Sequence, residues 1–307
     1  MSAIEIMKDL FFIERGYLNS NHFVYRSEQP VLIDTGYIAD FAVTERLIQA
    51  VGVALAKTRL IINTHTHCDH IGGNRIIQNK SGCGIALHKF GKYFMDTRDD
   101  WSPWWKYFGQ EADFFTPTQA LDDGDMISVG PHKFEVIHTP GHASDGIALY
   151  NRKAKALISG DALWENDIPT IAIRIEGSTC LFDLCDSLEK LASLDVEVVY
   201  PGHGRPFRSF HESISKSKRK AQDFLNHKEK TGESLLKKII IYTLLMCGEV
   251  KEETFFEHLT ETYWFSETID LFFNSDYQDK YKEVMNDFFC RDIVRRKNGM
   301  LCTTINP

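Results

Sequence analysis

Nine short apolar runs, each closed by a polar or turn-forming residue, occupy the first two-thirds of this chain: LFFIE, HFVYR, VLID, RLIIN, GIALH, KFEVIH, GIALY, ALISG and VEVVY. Runs of this length, rich in β-branched and aromatic residues, predict strands. Helical patterns lie between some of them. In one, Asp40 serves as the N-cap, Val43, Leu47, Ile48 and Val51 share a face, and Gly52 is the stop. A second is predicted from about Leu181 to Leu194, with Leu181, Leu184, Leu188 and Leu191 at helical spacing. Strands interleaved with helices predict an α/β layered domain rather than an all-β sandwich.

The pattern changes after PGHG at 201–204. A long polar helix is predicted next, then an apolar one around LLKKIIIYTLLM, a third near EETFFEHLTETYW and a fourth near YKEVMNDFF. The chain closes with DIVRRKNGMLCTTI, where Asn298-Gly299 between two β-prone runs predicts a type I′ hairpin. The expected organisation is a catalytic α/β domain over residues 1–208 and a helical, winged-helix-like region over 209–307. Its apolar, aromatic helices could form a homodimer surface or fold over a cleft.

No stretch approaches the roughly 20 apolar residues of a membrane helix, and the start MSAIEIMKDLFFIERG lacks a signal-peptide layout. The expected location is the cytoplasm, with no membrane partner. The net charge of −8 argues against a dedicated nucleic-acid binder, and the basic run KSKRK at 216–220 reads as a solvated helix face. The seven cysteines (68, 83, 180, 185, 247, 290, 302) are scattered and include no C-x-x-C pair, so most are expected to be small buried hydrophobes.

Chemistry concentrates in THTHCDH, residues 64–70, directly after the strand RLIIN. A two-residue step in extended chain puts His65 and His67 on one side, where they can share a metal ion. Asp69 and His70 follow as the loop turns, and they can face a second position close by. Three further glycine-marked turns each follow an apolar strand and present one ligand: HTPGH ending in His142, SGDAL with Asp161, and YPGHG with His203. Imidazoles and carboxylates in this combination suit zinc, iron or manganese. The remaining histidines (22, 88, 132, 138, 211, 227, 258) match no such motif and are expected to be structural or surface residues.

In the order and spacing of these motifs, residues 8–208 resemble the metallo-β-lactamase superfamily. The resemblance implies an αββα four-layer sandwich with a metal cleft along one edge. It implies two divalent metal ions, zinc first among the candidates: His65, His67 and His142 would bind one, Asp69, His70 and His203 the other, and Asp161 both. Asp34 in VLIDTG would orient a ligand. A hydroxide bridging the two ions would be the nucleophile, with Asp69 able to orient or deprotonate the water.

Within that superfamily, Asp161 stands where true β-lactamases carry cysteine or serine, and Trp164 stands where homoserine-lactone lactonases place a tyrosine. His67 differs from the glutamate of the flavo-diiron branch and favours hydrolysis. The chain therefore looks like the glyoxalase II-like hydrolases, although the basic glutathione signature of glyoxalase II is not evident in 211–307. GHASDGIALY and SGDAL are similar to a sub-branch that contains acyl-thioesterases and endoribonucleases. The expectation is hydrolysis of a thioester or ester with an apolar acyl group. A phosphodiesterase acting on RNA, a lactonase and a non-catalytic binding protein are the alternatives.

Residues 97–118, TRDDWSPWWKYFGQEADFFTPT, hold a dense set of aromatics. They read either as a self-packed loop or as the wall of an apolar small-molecule pocket, with Trp101, Trp104, Trp105 and, from the later turn, Trp164 as the candidate lining.

Overall fold

The computed structural model describes residues 3–307. Two mixed sheets face each other. The first runs in chain order: β1 (Ala3–Met7), β2 (Leu10–Ile13), β3 (His22–Tyr25), β4 (Val31–Ile33), β5 (Leu60–Ile62), β6 (Gly84–His88) and β7 (Gln119–Leu121). It is antiparallel from β1 to β4 and parallel from β4 to β7. The second sheet holds β8 (Met126–Val129), β9 (His132–His138), β10 (Ile147–Asn151), β11 (Ala156–Gly160) and β12 (Val198–Pro201), with only β11 and β12 parallel.

Side-chain alternation along the strands builds three of the apolar layers. Phe12, Phe23, Ile33 and Ile62 point inward to meet Phe134, Val136, Leu149 and Ile158 of the opposite sheet. Val24, Leu32, Ile61 and Ile85 point outward, under the helices α1 (Phe41–Ala50), α2 (Cys68–Ile71), α3 (Asn74–Ser81) and α4 (Lys89–Thr97). The chain then forms α5 (Trp105–Phe108), α6 (Ile173–Glu176) and α7 (Cys180–Ala192). On the outer face of the second sheet, Leu181, Leu184, Leu188 and Leu191 of α7 pack against Leu157 and Val199.

The C-terminal region is mainly helical: α8 (Phe210–Asn226), α9 (Lys228–Cys247), α10 (Glu252–Thr260), α11 (Tyr263–Phe272) and α12 (Tyr277–Cys290). A small sheet of β13 (Val250–Lys251), β14 (Val294–Lys297) and β15 (Met300–Thr303) completes it. Asn298 and Gly299 both adopt positive φ, 53° and 75°, as a type I′ turn requires. The apolar core of this region includes Trp104, Tyr107, Phe108 and Ala172, so the aromatic segment is packed into it.

All nine predicted runs contain strands; β1, β7 and β8 of the sandwich and the two-residue β13 are additional. The three sandwich strands lie at sheet edges; β1 and β7 bury little, and β8 buries only Ile127 and Val129 in four residues, so none forms the continuous apolar run that marks the others. The predicted third C-terminal helix is two helices, α10 and α11, broken at Thr262, whose backbone is extended. Asp40 stands at the start of α1 without capping it: its carboxylate is taken by Arg15 and Asn19. The cysteines depart from expectation, since only Cys68, Cys83 and Cys180 are buried while Cys247 and Cys290 are exposed. The exposed pair lies at the ends of α9 and α12, where the helices run out of the core. Among the described residues no helix is long and apolar enough to cross a membrane.

Candidate metal centre

The parallel strands β4, β5, β11 and β12 all end at the same edge of the sandwich. The turns that follow them carry Asp34, His65 to His70, Asp161 and His203, and the β9–β10 connection adds His142. Their ligand atoms converge in three overlapping groups, each within 4.8 Å: His65, His67 and His142; His65, His70 and Asp161; and Asp69, His70 and His203. All seven sequence-predicted ligands are therefore brought together, with Asp161 in the middle.

His70 and His142 are each aimed by a partner on the far side of the ring. Asp34 accepts hydrogen bonds from the backbone N–H of Thr64 (2.9 Å) and the Thr64 hydroxyl (2.8 Å), and it lies 2.9 Å from Nδ1 of His70. His70 Nε2 is thereby turned towards Asp161 and Asp69, at 3.7 and 3.8 Å. Nδ1 of His142 is 2.7 Å from the carbonyl of Thr170, which leaves its Nε2 3.5 Å from Asp161. Nε2 of His203 is 3.0 Å from Asp69 and 3.6 Å from Asp161. Nε2 of His65 and Nδ1 of His67 are 3.0 Å apart, close to the roughly 3.3 Å between two nitrogens on one tetrahedral zinc ion.

The donor set fits divalent metal ions. Nε2 of His70 and Nε2 of His142 are buried with no hydrogen-bond partner, a costly state that ligation would relieve. Burial, reinforced by neighbouring imidazoles, holds His65 and His67 well below the usual histidine range. Neutral imidazole is the form that binds metal. Burial opposes charge on Asp161 as well, but His203, His70 and His142 outweigh it and hold the carboxyl below its ordinary range.

Close backbone approach secures this arrangement. A Cβ added at Gly202 would sit 2.1 Å from Oδ1 of Asp161, so any side chain there must push the carboxylate aside. Gly202→Ala is expected to lower turnover on the order of 10²-fold, the effect of displacing a reacting group by about 1 Å. Measured kcat together with metal content per chain tests this; wild-type turnover would show that the carboxylate is not held where the backbone contact implies.

A cavity of about 50 Å³ lies over the ligand atoms, walled by Tyr17, Trp104, Trp164, Lys238, Ile239 and Tyr242. Trp104 lies against His67 with ring centroids 3.9 Å apart, and its indole N–H donates to Glu176 at 2.6 Å. The other carboxylate oxygen of Glu176 accepts from the backbone N–H of Ser144, two residues beyond His142. Trp104 and Trp164 thus line the cavity. Trp105 does not: it is buried in the outer core and donates to the carbonyl of Thr66. Trp101 also lies outside, against Tyr107 and Tyr263. Trp104 precedes α5 with left-handed backbone, φ 73°, while Trp105 opens the helix, so the two side chains diverge. Cys68 belongs to none of the ligand groups; its sulfur is buried 3.4 Å from the Tyr242 hydroxyl.

Lys238, Ile239 and Tyr242 come from α9 and were not among the sequence-predicted residues. The available signal was a lysine pair inside the otherwise apolar run LLKKIIIYTLLM.

Comparison with known proteins agrees with this geometry. Residues 15–203 match the family model of the metallo-beta-lactamase superfamily. The human Acyl-coenzyme A thioesterase MBLAC2 is 28% identical over 244 residues, covering 67% of this chain and 84% of that protein. A hydroxyacylglutathione hydrolase of Francisella tularensis subsp. novicida is 25% identical over 197 residues, covering 63% of this chain and 66% of that protein. Among solved structures, a metallo-beta-lactamase family protein from Thermus thermophilus superposes with a TM-score of 0.63 at 19% identity, over 97% of this chain and 99% of that one. With the family model spanning every ligand turn from Asp34 to His203, the chain belongs to the metallo-beta-lactamase superfamily.

Proposed function

We propose that this protein is a metal-dependent hydrolase of thioesters with an apolar acyl group. The observation that carries the reading is the meeting of seven metal-type ligands, most of them buried, with a narrow, aromatic-walled cavity. The similarity to a protein named as an acyl-coenzyme A thioesterase supports it.

In this reading His65, His67 and His142 hold one divalent ion, Asp69, His70 and His203 hold a second, and Asp161 serves both. Zinc is the first candidate, with iron and manganese compatible with the same donors. Bound there, the metal supplies Lewis acidity and lowers the pKa of water from 15.7 towards about 7. The protein's own groups do the rest. Trp104, Trp164, Ile239 and Tyr242 exclude bulk water and offer apolar contact to the acyl chain. Asp69 orients the attacking water and holds its proton. As the water oxygen bonds to the carbonyl carbon the carbon–sulfur bond breaks, and the proton passes to the departing thiolate. The products are a carboxylic acid and a free thiol.

A phosphodiester substrate finds less support. The basic residues of the C-terminal hairpin, Arg295 and Arg296, do not line the cavity over the metal ligands, and a polyanion needs an open basic track to the reacting atoms.

The test is a screen of acyl thioesters of graded chain length, lactones, phosphodiesters and nitrocefin against protein of measured metal content. Thioester turnover is expected to dominate and to fall on the order of 10³-fold when chelation removes the metal, since the ions stabilise several kcal/mol of transition-state charge. Divalent metal should restore it. Faster turnover of another class, or full thioesterase activity in protein shown to be metal-free, would refute the proposal.

A further inference from the structure

We infer that the groove between α8, α9 and α12 binds the phosphate-bearing part of the leaving thiol, so that the substrate is the thioester of a phosphorylated, pantetheine-type carrier. The inference rests on the thioesterase reading and assigns the half of the substrate that the metal cavity cannot hold.

Size comes first. The cavity over the metal ligands, about 50 Å³, accommodates the reacting carbonyl and a few flanking atoms. A groove of about 630 Å³ adjoins it, and Tyr17 and Lys238 line both. A substrate that extends from the reacting carbonyl past those two side chains enters this groove. The apolar cavity near Tyr107, Leu235 and Leu271 shares no lining residue with the metal cavity.

Charge comes second. In a chain of net charge −8, the groove gathers five cations, Lys220, Lys230, Lys237, Lys238 and Arg291, against three carboxylates, Asp167, Asp223 and Glu233. The cations come from three helices or their ends, so no run of sequence accounts for the excess. Lys220 and Lys238 are paired with Asp167, Lys230 with Asp223, Lys237 with Glu233 and Asp287, and Arg291 with Asp287. Lys238 is largely buried, but the pairs of Lys220, Lys230 and Arg291 are exposed, and surface pairs of this kind contribute about 0–1 kcal/mol. The long side chains can therefore turn to a phosphate, which carries more charge than a carboxylate and accepts more hydrogen bonds.

The distribution of polarity along the groove comes third. Phe224, Ile241 and Phe288 give it an apolar wall, suited to an uncharged arm between thiol and phosphates. At the throat, Nζ of Lys238 is bonded to the carbonyl of Ile168, lies 3.2 Å from Asp167 and stands 5.4 Å above the ring of Trp164. That places a single cation between the aromatic cavity and the basic groove.

The experiment titrates free coenzyme A, adenosine 3′,5′-bisphosphate and a single-stranded RNA oligonucleotide calorimetrically into the full chain at measured metal content. It compares wild type, Lys230→Ala/Lys237→Ala, Lys220→Ala and, as a control outside the groove, Arg295→Ala, each checked for an unchanged melting temperature. Coenzyme A and the bisphosphate are expected to bind wild type and to weaken at least tenfold in the double variant, with no change in the control. In parallel, the KM for an acyl-coenzyme A should rise about tenfold in the double variant, while kcat and all parameters for the same acyl group on N-acetylcysteamine stay unchanged. Absence of coenzyme A binding, equal binding by wild type and variants, or equal effects on both thioesters would overturn the inference. So would RNA displacing coenzyme A at lower concentration. If neither thioester is hydrolysed while coenzyme A still binds wild type and not the double variant, the thioesterase reading falls and the groove stands as an anionic-ligand site.

Discussion

Replacing Asp161 with alanine should lower turnover on the order of 10³-fold or more and leave the fold in place. Its carboxylate is the group nearest to ligands of both proposed ions, with Nε2 of His70, His142 and His203 all within 3.7 Å. Without it the imidazoles and Asp69 still converge, but Asp69 alone is left to offset the charge of two cations. Removing a preorganised electrostatic group from such a site costs about 10²–10³-fold even where the metal is retained. Loss of one ion would add to that. Asp161 follows β11 rather than lying within it, and the strand's own hydrogen bonds do not involve its side chain. Metal equivalents, kcat and thermal melting, measured on one preparation, distinguish the outcomes. Turnover within a few-fold of wild type would remove Asp161 from the centre of the mechanism.

The second large effect is expected from a residue that touches no substrate. Asp34→Asn preserves size and suits the left-handed backbone at this position, where φ is 56°. One amide oxygen can still accept from the backbone N–H of Thr64. The new NH₂ group, however, faces Nδ1 of His70, and the imidazole can meet it only as an acceptor. The ring proton then moves to Nε2, the atom aimed at Asp69 and Asp161. A protonated nitrogen does not ligate metal, so a loss of about 10²–10⁴-fold in turnover is expected from the wrong tautomer, with weakened metal binding. Stability should fall less than on full removal of the side chain, because the backbone N–H of Thr64 keeps its acceptor and only the Thr64 hydroxyl, which shares Oδ2 with His70, loses one. Asp34→Ala differs: it leaves buried donors of Thr64 unpaired, at about 1–3 kcal/mol each. Asparagine and alanine variants of equal stability would refute this account of Asp34.

The sandwich and its ligand turns were legible because both rest on local signals. Strands such as LFFI and ALISG bury both faces, so their apolar runs stand out against glycine-marked turns. The ligands fall directly after those strands, where the chain turns at the common edge. The cavity wall was less legible, because it is assembled from segments far apart in sequence. Trp104 and Trp105 are adjacent and equally aromatic, yet one faces the metal ligands and the other the outer core. Only the packing of α5 against the C-terminal helices decides which. The groove cations were invisible as a set for the same reason. Lys220, Lys238 and Arg291 carry no shared spacing, and the conspicuous run KSKRK contributes only its last member to the groove.

The position of α9 separates two kinds of inheritance within one site. The metal-type ligands all precede residue 204, inside the stretch that matches the superfamily, whereas Lys238, Ile239 and Tyr242 lie beyond it. The ligand set is thus written wholly in the first two-thirds of the gene, whereas the wall around it draws on both parts. Recombination or drift in the C-terminal third can therefore reshape one side of the cavity while every metal-type ligand passes on unaltered.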